Sequence, residues 1–330
     1  MSINGLSSPK TRSLLLVHGR DFKPAQEAHA DLSMAAMRSG IERDFPDAVV
    51  AFDAVQKNSV WYGDLNAEIL RAAGRNYDEV LDIGDRRNVL MSLREITARK
   101  KFGIGPYDRL PGKSALPEAF VNVAAPVLGS LGLCLPMIRI VSKDFARYFD
   151  TKSDYGTQVR KRLRTALCAL LDSDERVVLV SHGTGSVIAY DVLWQISHDP
   201  DLKERYADKK VDLWLTLGSP LGDSNIRKRL MGAKRQTDAK FPVNVISWHN
   251  VAAEDDYTCH DNTLADDFKL MMQQRIVSAV HDHKIFNLAV RYGKSNPHSS
   301  MGYLIHPRIS KIIVDWLEIS DPTVAPNYTL

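Results

Sequence analysis

Residues 176–190 read Arg176-Val-Val-Leu-Val-Ser-His-Gly-Thr-Gly-Ser-Val-Ile-Ala-Tyr190. The first half is a continuous β-branched and leucine run, the pattern of a strand buried on both faces. The second half opens a segment, Ser186–Ile196, that is apolar nearly all round, so it reads as a buried helix. Between them, residues 181, 183 and 185 are small. A strand can fold straight back into a helix only where such residues let the two backbones approach.

Working outward, further apolar β-rich runs alternate with longer helical patterns. Strands are predicted at Ser13–His18, Ala48–Asp53, Glu79–Ile83, Arg176–Ser181, Val211–Leu217 and Val243–Trp248, with a weaker run at Ile285–Arg291. Alternation of this kind defines an α/β chain with a mostly parallel sheet. Gln158–Leu171 carries Val159, Leu163, Leu167 and Leu170 on one stripe, leaving its arginines on a solvated face. Residues 85–150 break the pattern with many prolines and glycines and no clear strand. They are read as an inserted cap within a single domain spanning 1–330.

A sharp strand–turn–helix with small residues two before and two after its centre is the geometry of a nucleophile elbow. Here the central residue is Gly183, where a working hydrolase would carry serine. At this point the chain resembles the lipase- and esterase-like branch of the α/β-hydrolases, whose elbow is followed by a helix similar to Val187-Ile-Ala-Tyr-Asp191. The resemblance covers roughly Ser13 to Leu317 outside the insertion, and four other segments carry it. Leu15-Leu-Val-His-Gly-Arg20 looks like the loop after an early strand; it implies an oxyanion hole built from the backbone N–H groups near Arg20 and of Thr184, with Gly19 and His182 beside the substrate. Leu217-Gly-Ser-Pro-Leu221 is similar to the turn closing the following strand. Trp248-His-Asn-Val-Ala-Ala-Glu-Asp-Asp256 resembles the segment bearing the catalytic acid; of Asp255 and Asp256, the spacing from Asn250 favours Asp256. Asn296-Pro-His298, followed by Gly302-Tyr-Leu, resembles the loop bearing the catalytic histidine. The implied roles are His298 as general base and Asp256 as the acceptor of its Nδ1–H.

Three readings of Gly183 stay open: an ordinary serine hydrolase altered at this position, a natural relative that lost the nucleophile and binds a ligand or acts as a scaffold, and chemistry surviving through another group such as a water activated by His298. The resemblance implies carboxylic ester hydrolysis of a lipid-like or apolar acyl ester, with no cofactor.

Other features bound the function. A net charge of +3 over 330 residues is too small for a nucleic-acid binder. Three scattered cysteines, Cys134, Cys168 and Cys259, offer no disulfide framework, and the N-terminal apolar run is too short for a signal peptide, so a cytoplasmic location is expected. Ala119–Ile138 holds twenty residues without a charge, the length of a membrane-spanning helix, but is interrupted by Pro126, Gly129, Gly132 and Pro136; it is read as cap, with a membrane span or contact to a membrane surface as the alternatives. His281-Asp-His283, with His249 and His260 nearby in sequence, has two-ligand spacing but no marked third partner, so no metal site is expected. Gly103-Ile-Gly105 lacks the lysine of a phosphate loop. Arg227-Lys-Arg229 with Lys234 and Arg235 is read as a solvated basic face.

Overall fold

The computed structural model describes residues 11–98, 102–112, 143–259 and 263–318. Six strands, β1 (Arg12–Val17), β2 (Gln56–Val60), β3 (Arg176–His182), β4 (Val211–Leu217), β5 (Val245–Ala253) and β6 (Ala279–Ile285), form one sheet in the order β2-β1-β3-β4-β5-β6. Every pairing in it is parallel. The short strands β7 (Val290–Arg291) and β8 (Lys294–Ser295) make a separate antiparallel pair. The longer helices are α1 (Gln26–Asp44), α2 (Gly63–Ala72), α3 (Glu79–Thr97), α4 (Tyr155–Asp172), α5 (Thr184–His198) and α6 (Pro307–Glu318).

A parallel sheet is covered on both faces, and alternate residues of each strand feed two cores. Leu15, Val17, Val177 and Leu179 pack with α4 and α5 on one side. Leu14, Leu16, Val178 and Val180 pack with α1, α3 and α6 on the other. β3 and β4 are buried along their whole length, and each fully buried Leu or Val side chain contributes roughly 1.5–3 kcal/mol. The chain is thus an α/β protein whose sheet is flanked by helices.

Three predicted strands are corrected. Ala48–Asp53 is helical: Pro46 opens a 3-10 turn that runs into a helix at Val49–Asp53. The neighbouring strand, β2, lies at 56–60 instead; as an edge strand it tolerates the polar Gln-Lys-Asn-Ser run that hid it. Glu79–Ile83 is the first turn of α3, capped by the Asp78 carboxylate accepting from Leu81 N–H at 3.0 Å, with Val80 and Leu81 exposed. The last strand falls at Ala279–Ile285, before the predicted run at 285–291; its alternating histidines masked it, since only its β5 side is paired. The described parts of 85–150 are the rest of α3 and helices at Ile104–Asp108 and Lys143–Tyr148. The uncharged stretch 119–138 lies outside the described residues. Among those described, no helix is long and apolar enough to cross a membrane.

Candidate active site

β1 and β3 are neighbours, with β2 on one side and β4 on the other. The chain therefore leaves their C-terminal ends in opposite directions, and the crevice opened there is where ligands bind in open α/β sheets. Its walls are the turn after β1, His18-Gly19-Arg20, and the turn after β3, His182-Gly183-Thr184.

The first turn is locked from below. His18 Nε2 accepts from the Tyr62 backbone N–H at 3.0 Å, its Nδ1 donates to Gly19 O at 2.8 Å, and the Tyr62 hydroxyl donates to His18 O. Burial, reinforced by Lys23, pushes the His18 imidazole down to about 3, so it stays neutral. The second turn is held against the first by Gly185, where a Cβ would stand 2.5 Å from His18 O and 2.9 Å from Val17 O. Gly19 faces His182 in the same way, 3.0 Å from its carbonyl oxygen were a Cβ present.

Gly183 has φ 55° and ψ −124°, a combination natural for glycine and strained for an L side chain. Its N–H donates to Leu217 O at 2.9 Å, tying the turn to the end of β4. A Cβ at this position would point at His298, 3.0 Å from Nε2 and 3.2 Å from Cε1. The backbone N–H groups of Arg20 and Thr184 find no acceptor among the described residues; Thr184 is first in α5, where a helix leaves its N–H groups without intrahelical partners.

On its other nitrogen, His298 Nδ1 lies 2.8 Å from Asp256 Oδ2. Asp256 is buried, which pushes its carboxyl up, but His298, the Tyr303 hydroxyl and His182 outweigh burial and hold it below the ordinary value. It is therefore ionised at neutral pH. Its second oxygen accepts from Thr258 N–H at 3.0 Å. Asp255, the competing acid, turns away at a positive φ and accepts from Tyr107 OH at 2.6 Å. Gly183, Asp256 and His298 thus converge, and His182 joins them: its Nε2 donates to His298 O at 3.0 Å while burial and His298 keep it neutral.

Two positioning residues escaped the sequence reading. Tyr303 OH donates to Asp256 Oδ2 at 2.7 Å and accepts from Ala253 N–H at 2.9 Å, joining the acid to the end of β5. Asn287, wholly buried, donates to Pro297 O at 2.8 Å and Ser299 O at 2.9 Å, so one side-chain amide grips the loop on both sides of His298. Gly302 was the available signal: a Cβ there would overlap Asn287 Oδ1 at 1.7 Å.

Neither Ser186 nor Cys259 replaces a side chain at 183. Ser186 is buried and bonded to Ser181, Oγ to Oγ at 3.2 Å. Cys259 is buried, its Sγ 3.3 Å from Asp256 O, and burial with the Asp256 charge raises its thiol far above the ordinary value. A cleft of about 350 Å³ opens over the site, lined by His182, Asp256 and His298 together with Arg20, Lys23, Arg86 and Arg291.

The histidines of β5 and β6 also meet. His249 Nδ1 is 3.0 Å from His283 Nε2, and the His249 and His281 rings are 4.6 Å apart. They bond to one another; among the described residues no group of three or more His, Cys, Asp or Glu is arranged to hold a metal ion. His260 lies outside the described residues.

Comparison of the chain with protein families, with curated proteins and with solved structures finds no match.

Proposed function

We propose that this chain has the α/β-hydrolase fold and carries the site of a carboxylic ester hydrolase, stripped of its nucleophilic oxygen by Gly183. One observation carries the reading: a side chain at 183 would project onto His298 Nε2, the nitrogen opposite the one bonded to Asp256. The strand order, the elbow between β3 and α5, and the chain order elbow–acid–histidine support it. With serine at 183, His298 would take the Oγ proton while Oγ bonds to the ester carbon. The carbonyl electron pair would move onto oxygen, facing the Arg20 and Thr184 N–H groups. Collapse of that intermediate would break the ester C–O bond, and the departing alkoxide would regain the proton from His298. Water then repeats the cycle on the acyl-enzyme.

With glycine there, no acyl-enzyme forms. Losing the nucleophile of such a site costs on the order of 10⁶ in rate. The positive φ at 183, which glycine adopts without strain, favours a second reading: a natural pseudoenzyme that binds the ester or acid without turning it over.

The test is hydrolysis of p-nitrophenyl acyl esters of graded chain length by the natural chain, by Gly183→Ser, and by Gly183→Ser with His298→Ala. The hydrolase reading expects a gain of several orders of magnitude on adding serine, abolished by the histidine change. No gain across the panel rejects the hydrolase reading and leaves the binding role.

A further inference from the structure

We propose that the ligand of this cleft carries an anionic group, a carboxylate or a phosphate, held by Arg20 together with Arg86 and Arg291. The identity of the cleft as an ester site rests on the reading above, while the anion preference stands on separate residues.

Four cationic side chains, Arg20, Lys23, Arg86 and Arg291, line the cleft against two carboxylates, Asp21 and Asp256. Asp21 offsets part of that charge, since Lys23, Arg75 and Arg20 together hold its carboxyl below the ordinary value against burial. Asp256 is committed to His298 and Tyr303, and Asp21 pairs with Arg75 at 2.7 Å.

Arg20 is the most telling of the four. It makes no ion pair or hydrogen bond through its side chain to any described residue, and its Nε is buried without an acceptor. An unsatisfied buried donor costs about 1–3 kcal/mol, more when charged. An anion in the cleft removes that cost.

Arg86 and Arg291 are held from behind. The buried Asp82 accepts from Arg86 Nε at 3.0 Å and from Arg291, while Asp85 takes Arg291 Nε at 2.5 Å. Tyr77 OH steadies Asp82 at 2.8 Å. Only Nε of Arg86 is used in this way, so both its terminal amino groups remain free of described partners. A guanidinium whose orientation is already fixed loses less freedom on binding an oxyanion, and its fork suits two-point contact with carboxylate or phosphate. Both arginines are largely shielded from solvent, with side-chain exposures of 13% and 26%, which strengthens their pull on a charge. The substrate class that fits is an ester bearing a second, anionic end: a half-ester of a dicarboxylic acid, or a phosphate-bearing acyl ester.

Two arms test this. In the Gly183→Ser protein, p-nitrophenyl hemisuccinate is compared with p-nitrophenyl butyrate, similar in length but neutral. The natural Gly183 chain is titrated calorimetrically with succinate and with phenyl phosphate. The expected result is a kcat/KM preference of about tenfold or more for the hemisuccinate, falling toward unity in Arg20→Gln and in Arg86→Gln and partly kept in Arg20→Lys. The natural chain should bind at least one anion, more weakly at high salt and about tenfold more weakly without Arg20. Tighter binding of phenyl phosphate than of succinate assigns phosphate, and the reverse assigns carboxylate. Equal or better hydrolysis of butyrate overturns the anion site and leaves the hydrolase reading standing. Arg20-dependent anion binding with no hydrolysis of either ester does the opposite. The Arg20 side chain makes no hydrogen bond or ion pair to a described residue, so its variants test the site even if Arg86→Gln misfolds.

Discussion

Two clusters of histidines sit on this sheet, and only one of them has the makings of chemistry. At the C-terminal ends of β1 and β3, His298 bonds a buried carboxylate and faces residue 183. Across β5 and β6, His249 bonds and stacks with His283 and lies tilted against His281, with Arg308 bearing on His249 and His283. Burial and these like charges push His249 down to about 2 and His283 to about 4. In that second cluster, burial and like charge outweigh the pull of Asp282 on His281, and the imidazoles are held low. In the proposed hydrolase site the Asp256 carboxylate instead accepts from His298 Nδ1 and so fixes its tautomer. Asp282, between His281 and His283 in sequence, hydrogen-bonds elsewhere, accepting from Asn250 and from the N–H groups of Leu264 and Ala265, and acts on His281 through its charge.

The sharpest way to break this contrast is to remove the carboxylate from the first cluster. In the Gly183→Ser protein, Asp256→Asn should lower kcat by about 10⁴-fold, measured on whichever ester the serine variant hydrolyses best. A loss below tenfold would mean that Asp256 is not the acid. Next in size is Gly218→Ala. Gly218 has φ 54°, and a Cβ there would stand 2.7 Å from Asp256 Oδ2 and 3.1 Å from His298 Nδ1. The change should cost roughly 1–3 kcal/mol in a urea melt and slow the serine variant as well. Unaltered stability and rate would show that the pair is loosely held.

The second cluster makes a pH prediction. His283 has a folded value near 4 against an ordinary 6.5. Between those values the unfolded chain binds a proton that the folded chain refuses, so stability is full above pH 6.5 and declines as pH falls toward 4. His18 and His306, each pushed down to about 3 by burial, decline in the same direction. Asp256, held low, keeps its contribution until the pH drops below its own depressed value. His283→Gln should flatten part of the slope in the urea midpoint between pH 6.5 and 4; an unchanged slope would contradict the assignment. The smallest effect expected is from His281→Asp, which sets a carboxylate opposite His249 in the β5–β6 register. The His249 titration followed by NMR should move upward. No esterase activity should appear, because nothing there resembles the turn at 183.

Much of the first site was legible because close backbone approaches leave glycines in the sequence. Gly183, Gly185 and Gly218 mark the turns, and the buried runs of β3, β4 and α5 admit few alternatives. Asp256 and His298 were found through resemblance and chain order, and the choice over Asp255 became physical only when Tyr107 was seen to hold the latter. What the sequence concealed lay at edges and in long-range partners. β2 and β6 border the sheet, so their polar residues erased the strand pattern. The 79–83 run proved to be a helix start whose apolar Val80 and Leu81 face solvent. Tyr303 acts across 47 residues of chain and Asn287 across 10 and 12, and no local pattern announces a hydroxyl or an amide that grips another segment.

The central claim is that residue 183 occupies a position activated by His298 and Asp256, and covalent capture tests it without knowing the substrate. The Gly183→Ser protein is treated with a small alkyl fluorophosphonate and its intact mass recorded. The account predicts one adduct, mapped to residue 183, absent from the natural chain and lost when His298→Ala is added. No adduct, or one that forms equally well without His298, would contradict it.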